Sequence, residues 1–328
     1  MPVILAAAII ITVGTGFLIF HLIRSGIISE KTSAAAGYIN QNKNLQAIKA
    51  GKSAVEKDPR NAEAHFYLGK ALLADNREEQ ALREFKSVSR LGIEGKNIPE
   101  TEFRQTIARL YQKYNETEEA LKEYLMLVKI QPQNAEYHFL AGTIFGSRNR
   151  GDLAEGYLNK AISLNPKEPR YYIELGTILY NARKLKEADS VFDAALKLEP
   201  GSIKANFFKG KIYKDAKDYA SAIPCFEKAS RDQEFKVRSL VETGGCYLSL
   251  KMIDRAITEL ERAVKASENE SGTDSLYARY FLAMGYEKKQ DFPKAVAQWE
   301  RIYSKKKNFR DVGEKLIRYQ EYRENGQP

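Results

Sequence analysis

The sequence predicts an all-α solenoid: antiparallel helix pairs stacked side by side, preceded by one helix that crosses a membrane. Three observations carry this. Small and aromatic residues recur in phase every 34 residues through most of the chain. An uncharged stretch of 21 residues, Val3 to Ile23, stands near the N-terminus. Proline is sparse, 10 in 328 residues, and four of the ten mark the ends of repeated blocks.

The N-terminal element is the first to justify. Val3–Ile23 reads VILAAAIIITVGTGFLIFHLI, with Thr12, Thr15 and His21 its only polar side chains. At about 1.5 Å per residue such a helix covers roughly 30 Å, the thickness of a bilayer's hydrocarbon core. A cleaved signal peptide would want a basic leader and a shorter apolar core. Only Met1 and Pro2 precede the run, and Ala34-Ala35-Ala36 lie too far downstream to serve as a cleavage site. Residues 1–27 are therefore expected to be an uncleaved single-pass anchor that meets the lipid bilayer through residues 3–23. Every Lys and Arg follows the span, beginning with Arg24, which favours a cytoplasmic location for the rest of the chain. A periplasmic one stays open, because long domains translocate regardless of charge.

The array comes next, over residues 28–309, in blocks that start at 28, 62, 101, 135, 169, 203, 237 and 276. Position 8 holds Gly69, Ala108, Gly142, Gly176, Gly210, Gly244 and Ala283. Position 20 is alanine throughout: Ala47, Ala81, Ala120, Ala154, Ala188, Ala222, Ala256 and Ala295. Position 24 carries a bulky residue, from Phe85 and Tyr124 to Phe192, Phe226, Leu260 and Trp299. Pro59, Pro132, Pro166 and Pro200 close four blocks. The small residues at positions 8 and 20 are expected to let two helices approach, with the aromatics filling the space between neighbouring blocks. The first block departs, with Ala35 at the glycine position and Gly51 at the aromatic one. Because one helix pair cannot bury its own apolar face, stacking is obligatory.

Residues 308–328 complete the chain as a capping helix and tail. Phe309, Val312, Leu316 and Tyr319 recur at near-helical spacing, and Arg310, Glu314, Lys315 and Arg318 are expected to cover the solvent side.

This pattern resembles the tetratricopeptide-repeat (TPR) family, and the resemblance implies a right-handed TPR superhelix that binds other proteins. In that family the concave groove is lined near positions 2, 5, 9 and 12 of the first helices. Carried over, the resemblance nominates Arg170, Ile173, Thr177 and Tyr180, then Lys204, Phe207, Lys211 and Lys214. Arg238, Val241 and Leu248 follow, and Tyr277, Tyr280 and Met284 end the set. Such a basic, aromatic strip suits an acidic, partly apolar peptide or helix of a partner protein. The Lys–Asn set by which some TPR domains grip a chain's C-terminal carboxylate is not matched at Phe66, Lys70 and Thr106. Several bacterial inner-membrane proteins share the plan of anchor plus array. The lipopolysaccharide-assembly regulator ends in a Cys-rich metal module that this chain lacks. Ala278–Ala283, Trp299-Glu300 and Phe309–Val312 look similar to spirochaete TPR proteins, including flagellar-motor collar components, which would favour a periplasmic array. The expected role is thus a membrane-tethered scaffold that assembles a complex. A structural part of a flagellar-motor collar and a regulator of envelope biogenesis are the alternatives.

Chemistry is not expected. No HExxH, GxSxG or nucleotide-binding glycine loop occurs, and Gly51-Lys52-Ser53 lacks the leading glycine of a phosphate loop. No catalytic residue, metal, cofactor or small-molecule substrate is anticipated. The net charge of +9 is spread along the chain, with Lys305-Lys306-Lys307 its longest basic run, and reads as solvated surface rather than a nucleic-acid footprint. Cys225 and Cys246 form no CxxC; a disulfide between them is arithmetically possible, and two small buried thiols are the simpler reading.

Overall fold

A computed structural model describes residue 30, residues 32–268 and residues 272–325. The expected membrane span at 3–23 lies outside the described residues, as does the end of the tail. Among the described residues no helix is long and apolar enough to cross a membrane, and there is no strand.

The helices follow one another in pairs. The first pair is α1 (32–40) and α2 (Asn44–Lys57), then α3 (Ala62–Ala74) and α4 (Glu78–Leu91), α5 (Glu100–Lys113) and α6 (Thr117–Ile130). Next come α7 (Ala135–Ser147), α8 (Gly151–Leu164), α9 (Pro169–Asn181) and α10 (Leu185–Leu198). They continue with α11 (Ile203–Asp215), α12 (Tyr219–Ala229), α13 (Gln233–Ser249) and α14 (Ile253–Ala266). The last are α15 (Thr273–Lys288), α16 (Phe292–Lys305) and α17 (Val312–Asn325). The molecule divides into two compact units within α7, one ending at Ile144 and one beginning at Phe145.

The turn inside each pair is the same device repeated. Asn42, Asn76, Asn115, Asn149, Arg183, Lys217, Lys251 and Gln290 all stand at position 15 of their blocks, each with φ between 57° and 63°. The next residue's N–H returns to the carbonyl at position 11, as from Arg77 to Leu72 (2.8 Å) and from Asp218 to Tyr213 (2.9 Å). This is the Schellman closure, in which a left-handed residue ends the first helix. Four blocks fill the site with asparagine, which tolerates that conformation; four use long side chains that do not. Lys217→Gly is expected to raise the stability of the second unit by up to about 1 kcal/mol, read as a higher urea midpoint at unchanged slope.

The turn between blocks is a second device, one the sequence reading missed. The residue at position 4 donates to the carbonyl of the block-closing proline six residues earlier. His65 Nε2 reaches Pro59 O at 3.1 Å, His138 Nε2 reaches Pro132 O at 3.0 Å, and Tyr172 Oη reaches Pro166 O at 3.0 Å. Asn206 Nδ2 reaches Pro200 O at 3.3 Å. Both histidines outside the N-terminal run are thereby structural. The other ring nitrogen of His65, Nδ1, lies 2.6 Å from Glu84 Oε2, and that hydrogen bond holds the imidazole above its ordinary value of 6.5 despite burial. A raised folded-state value stabilises fully below the unfolded value and is lost as pH rises through the folded one. The advantage of the wild type over His65→Gln in thermal melts is therefore expected to shrink steadily from mildly acidic to alkaline pH.

The core sits on the second helices. Each alanine at position 20 and each residue at position 27, from Ala54 and Val88 to Ala263 and Ile302, is 0% exposed. At position 24, Phe85, Leu158, Phe192, Phe226, Leu260 and Trp299 are equally buried. What the position-8 glycine accommodates is this bulky side chain of its own block. A Cβ on Gly69 would lie 2.8 Å from the Phe85 ring, and one on Gly210 would lie 2.7 Å from that of Phe226. Phe85 also reaches onward to Phe103 of the next pair, at 6.0 Å between centroids. The aromatics thus fill space within blocks as well as between them. Gly51 of the first block is explained from the other side, since a Cβ there would meet Leu68 Cβ at 3.0 Å. Gly51-Lys52-Ser53 lies inside α2, where no phosphate-cradling loop exists.

Two expectations about the cap are corrected. Arg310 adopts φ 49°, which delays the start of the helix to Val312. Lys315 is half-buried rather than solvent-facing, its Nζ paired with Glu287 at 2.7 Å, while the exposed Arg310 also lies over the rings of Tyr277 (5.0 Å) and Tyr280 (4.9 Å). Both cysteines are free thiols, and burial pushes Cys246 up to about 11.

Candidate protein-binding face

In the unit from Phe145 onward the first helices α9, α11, α13 and α15 lie next to one another. Their common face is laced by side chains that reach from one first helix to the next. Lys204 Nζ pairs with Glu174 at 3.0 Å, Lys214 with Glu242, and Arg238 Nε with Asp274 at 2.8 Å. Tyr180 donates to Asp215 at 3.0 Å, and Arg183 approaches the same oxygen at 3.1 Å. Tyr280 donates to Asp311 at 2.8 Å. Burial, reinforced by the Asp215 carboxylate, pushes the Tyr180 phenol up to about 12.

This changes the character of the strip. Among the residues nominated from sequence, Lys204, Lys214 and Arg238 face carboxylates of neighbouring helices, and Arg170 pairs with Glu168 at its own helix start, at 3.0 Å. The expected basic surface is a ladder of alternating charge. The acids escaped the sequence reading because Glu174 and Glu242 fall at position 6 and Asp215 at position 13, outside the carried-over set. Each exposed pair adds little to stability, about 0.2–1 kcal/mol. Its larger effect is on recognition, because an incoming acid must displace the resident one.

The aromatic residues divide. Phe207, Tyr180 and Tyr280 are 7–8% exposed, so most of each ring belongs to the interior. Phe207 meets Phe226 at 5.7 Å and Phe235 at 5.2 Å. Tyr277 is half-buried, and Val241 and Leu248 are buried. Ile173 and Thr177 are half-buried, and the Thr177 hydroxyl donates to Ile173 O at 2.7 Å.

Lys211 differs from the other cations. Its ammonium lies 5.2 Å from the Tyr180 ring centroid and 6.0 Å from that of Phe207. Among the described residues no carboxylate stands within ion-pair distance of it. It is half-buried, so its charge is held in place over the rings. Lys209, two residues earlier and so on the other side of α11, is structural: it is 5% exposed and pairs with Asp189 (2.6 Å) and Asp193 (2.9 Å). In the unit ending at Ile144 one rung of the same kind joins Lys70 to Glu102, at 2.6 Å. Among the described residues no cluster of three or more His, Cys, Asp or Glu is placed to hold a metal ion.

The model of the tetratricopeptide repeat matches residues 34–90, 139–203, 173–233 and 209–271, together more than half of the chain. The chain belongs to the TPR family. Members are in general non-enzymatic scaffolds that bind other proteins or peptides. No curated protein matches the sequence. Among solved structures, the Cut9–Hcn1 hetero-tetramer of the APC/C is similar at TM-score 0.55 and 17% identity, over 87% of this chain and 54% of that one. The C-terminal part of a TPR protein from Cytophaga hutchinsonii follows at TM-score 0.49 and 17% identity, over 87% and 99%. MamA from Desulfovibrio magneticus RS-1 gives TM-score 0.48 and 20% identity, over 54% and 97%. At these identities the likeness is one of fold. The TPR match leaves residues 91–138 uncovered, the stretch that holds the longer connection before α5.

Proposed function

We propose that this TPR protein is a scaffold that holds an acidic, partly apolar peptide or helical segment of a partner protein on the α9–α11–α13–α15 face. We further propose that residues 3–23 tether it, as a single-pass anchor, to a bacterial cell membrane, where it assembles a complex. The observation that carries the binding reading is Lys211, a cation fixed over two aromatic rings and flanked by cations that already have partners. A partner's carboxylate can pair there without displacing anything, while apolar side chains beside it meet Ile173, Tyr277 and Met284. Arg170, Lys204, Lys214 and Arg238 then steer and align rather than anchor.

The test is co-purification from native membranes with single charge reversals. Lys211→Glu is expected to lose the bound partner, with affinity falling tenfold or more. Lys204→Glu repels Glu174 and is expected to weaken binding less. An unchanged partner set with Lys211→Glu contradicts the reading.

A further inference from the structure

The basic run Lys305-Lys306-Lys307 has no role in the binding face. It forms the turn between α16 and α17, where Lys305 ends one helix and Lys306 is extended at φ −151°. All three lysines are exposed, as are Arg301 and Arg318 nearby in sequence. No carboxylate among the described residues comes within ion-pair distance of any of these five. Exposed cations without an ion pair occur elsewhere on this unit too, among them Lys186, Lys228 and Lys251; what marks this end is three in succession.

Two exposed apolar side chains accompany it. Tyr303 is 39% exposed, and its ring passes 3.8 Å from where a Cβ on Gly313 would stand. Ile317, one turn beyond Gly313 and on the same side of α17, is 58% exposed. A capping helix is expected to turn polar residues outward. Here it presents an isoleucine, with an aromatic ring against its neighbour on that side.

We propose that this end of the molecule, through Tyr303, Lys305, Lys306, Lys307 and Ile317, docks on an anionic lipid bilayer surface. Charge complementarity selects an anionic partner. The apolar pair selects a bilayer among anions, because headgroups take the lysines while the acyl boundary takes Tyr303 and Ile317. A nucleic acid would satisfy only the lysines. The contact is independent of the α9–α11–α13–α15 face and of the N-terminal span.

Hydrogen exchange of the full chain tests it, in the presence of phosphatidylcholine vesicles and of vesicles that also carry phosphatidylglycerol. Protection of residues 300–320 is expected only with phosphatidylglycerol, and it should fade as salt is raised. Each lysine near such a surface is worth about fivefold in partitioning, so replacing all three by glutamine should weaken the contact roughly 100-fold. Ile317→Ser, which leaves the charge intact, should weaken it as well. An N-terminal span would bind both vesicle types alike and would be untouched by these substitutions. Equal protection by both vesicles, protection unaltered in the glutamine variant, or protection by duplex DNA instead of by vesicles would overturn the proposal.

Discussion

Trp299→Ala is expected to cost about 3–5 kcal/mol, the largest effect of any single truncation in the C-terminal unit. The indole is 0% exposed and lies 5.2 Å from the Tyr280 ring, within the cluster of Leu276, Tyr280, Ile302, Phe309 and Val312 that seats α17. In a repeat array each block contacts only its neighbours, so the loss falls mainly on the terminal pair and its cap. The variant should therefore show rapid proteolysis and hydrogen exchange across residues 306–325, while α9 to α12 stay protected. Trp299→Phe is the informative control. Its Nε1 has no hydrogen-bond partner, so exchanging the indole for a phenyl ring loses volume but no polar contact. It should retain the cap with a much smaller shift in melting temperature.

The second large effect contrasts two adjacent glycines of α13. A Cβ on Gly244 would lie 2.4 Å from Leu260 Cγ and 2.7 Å from its Cδ2, inside a closed core, whereas one on Gly245 meets nothing within 4 Å. Gly244→Ala must push the buried Leu260 away and is expected to destabilise the unit by about 1–3 kcal/mol. Gly245→Ala has the opposite sign. It removes backbone freedom from the unfolded chain without any clash and should stabilise by about 0.5–1 kcal/mol. Paired urea titrations read both. Equal shifts for the two variants would mean that Leu260 yields to the added methyl and that position 8 is not held small by the bulky residue at position 24.

The helix pairs were legible because burial on the second helix is so strict. A site that is 0% exposed from Ala47 to Ala295 tolerates little besides alanine, and that leaves a mark in one sequence. The position-15 turns were not legible. Asn76 and Asn115 hint at a left-handed residue, but Arg183 and Lys217 do not, since the closure is made by main-chain groups that any residue supplies. The proline-carbonyl contacts were hidden for a similar reason: histidine, tyrosine and asparagine each reach the same acceptor by different chemistry. On the candidate face the positions of the cations were legible and their pairing was not. A count of Lys204, Lys214 and Arg238 reads as positive charge until Glu174, Glu242 and Asp274 are found across from them. What a pairing pattern depends on is the stagger between neighbouring first helices, which no single block encodes.

The central claim is that the first-helix face around Lys211 holds a partner protein. Photo-crosslinking in the native cell tests it directly, with a photoreactive residue placed in turn at Thr177 and Lys211 and, as a control, at the exposed Lys160 of α8. The account predicts one discrete set of adducts from Thr177, reduced at Lys211 where the charge is lost, and none from Lys160. Adducts from Lys160 equal to those from Thr177, or none from Thr177, would contradict it.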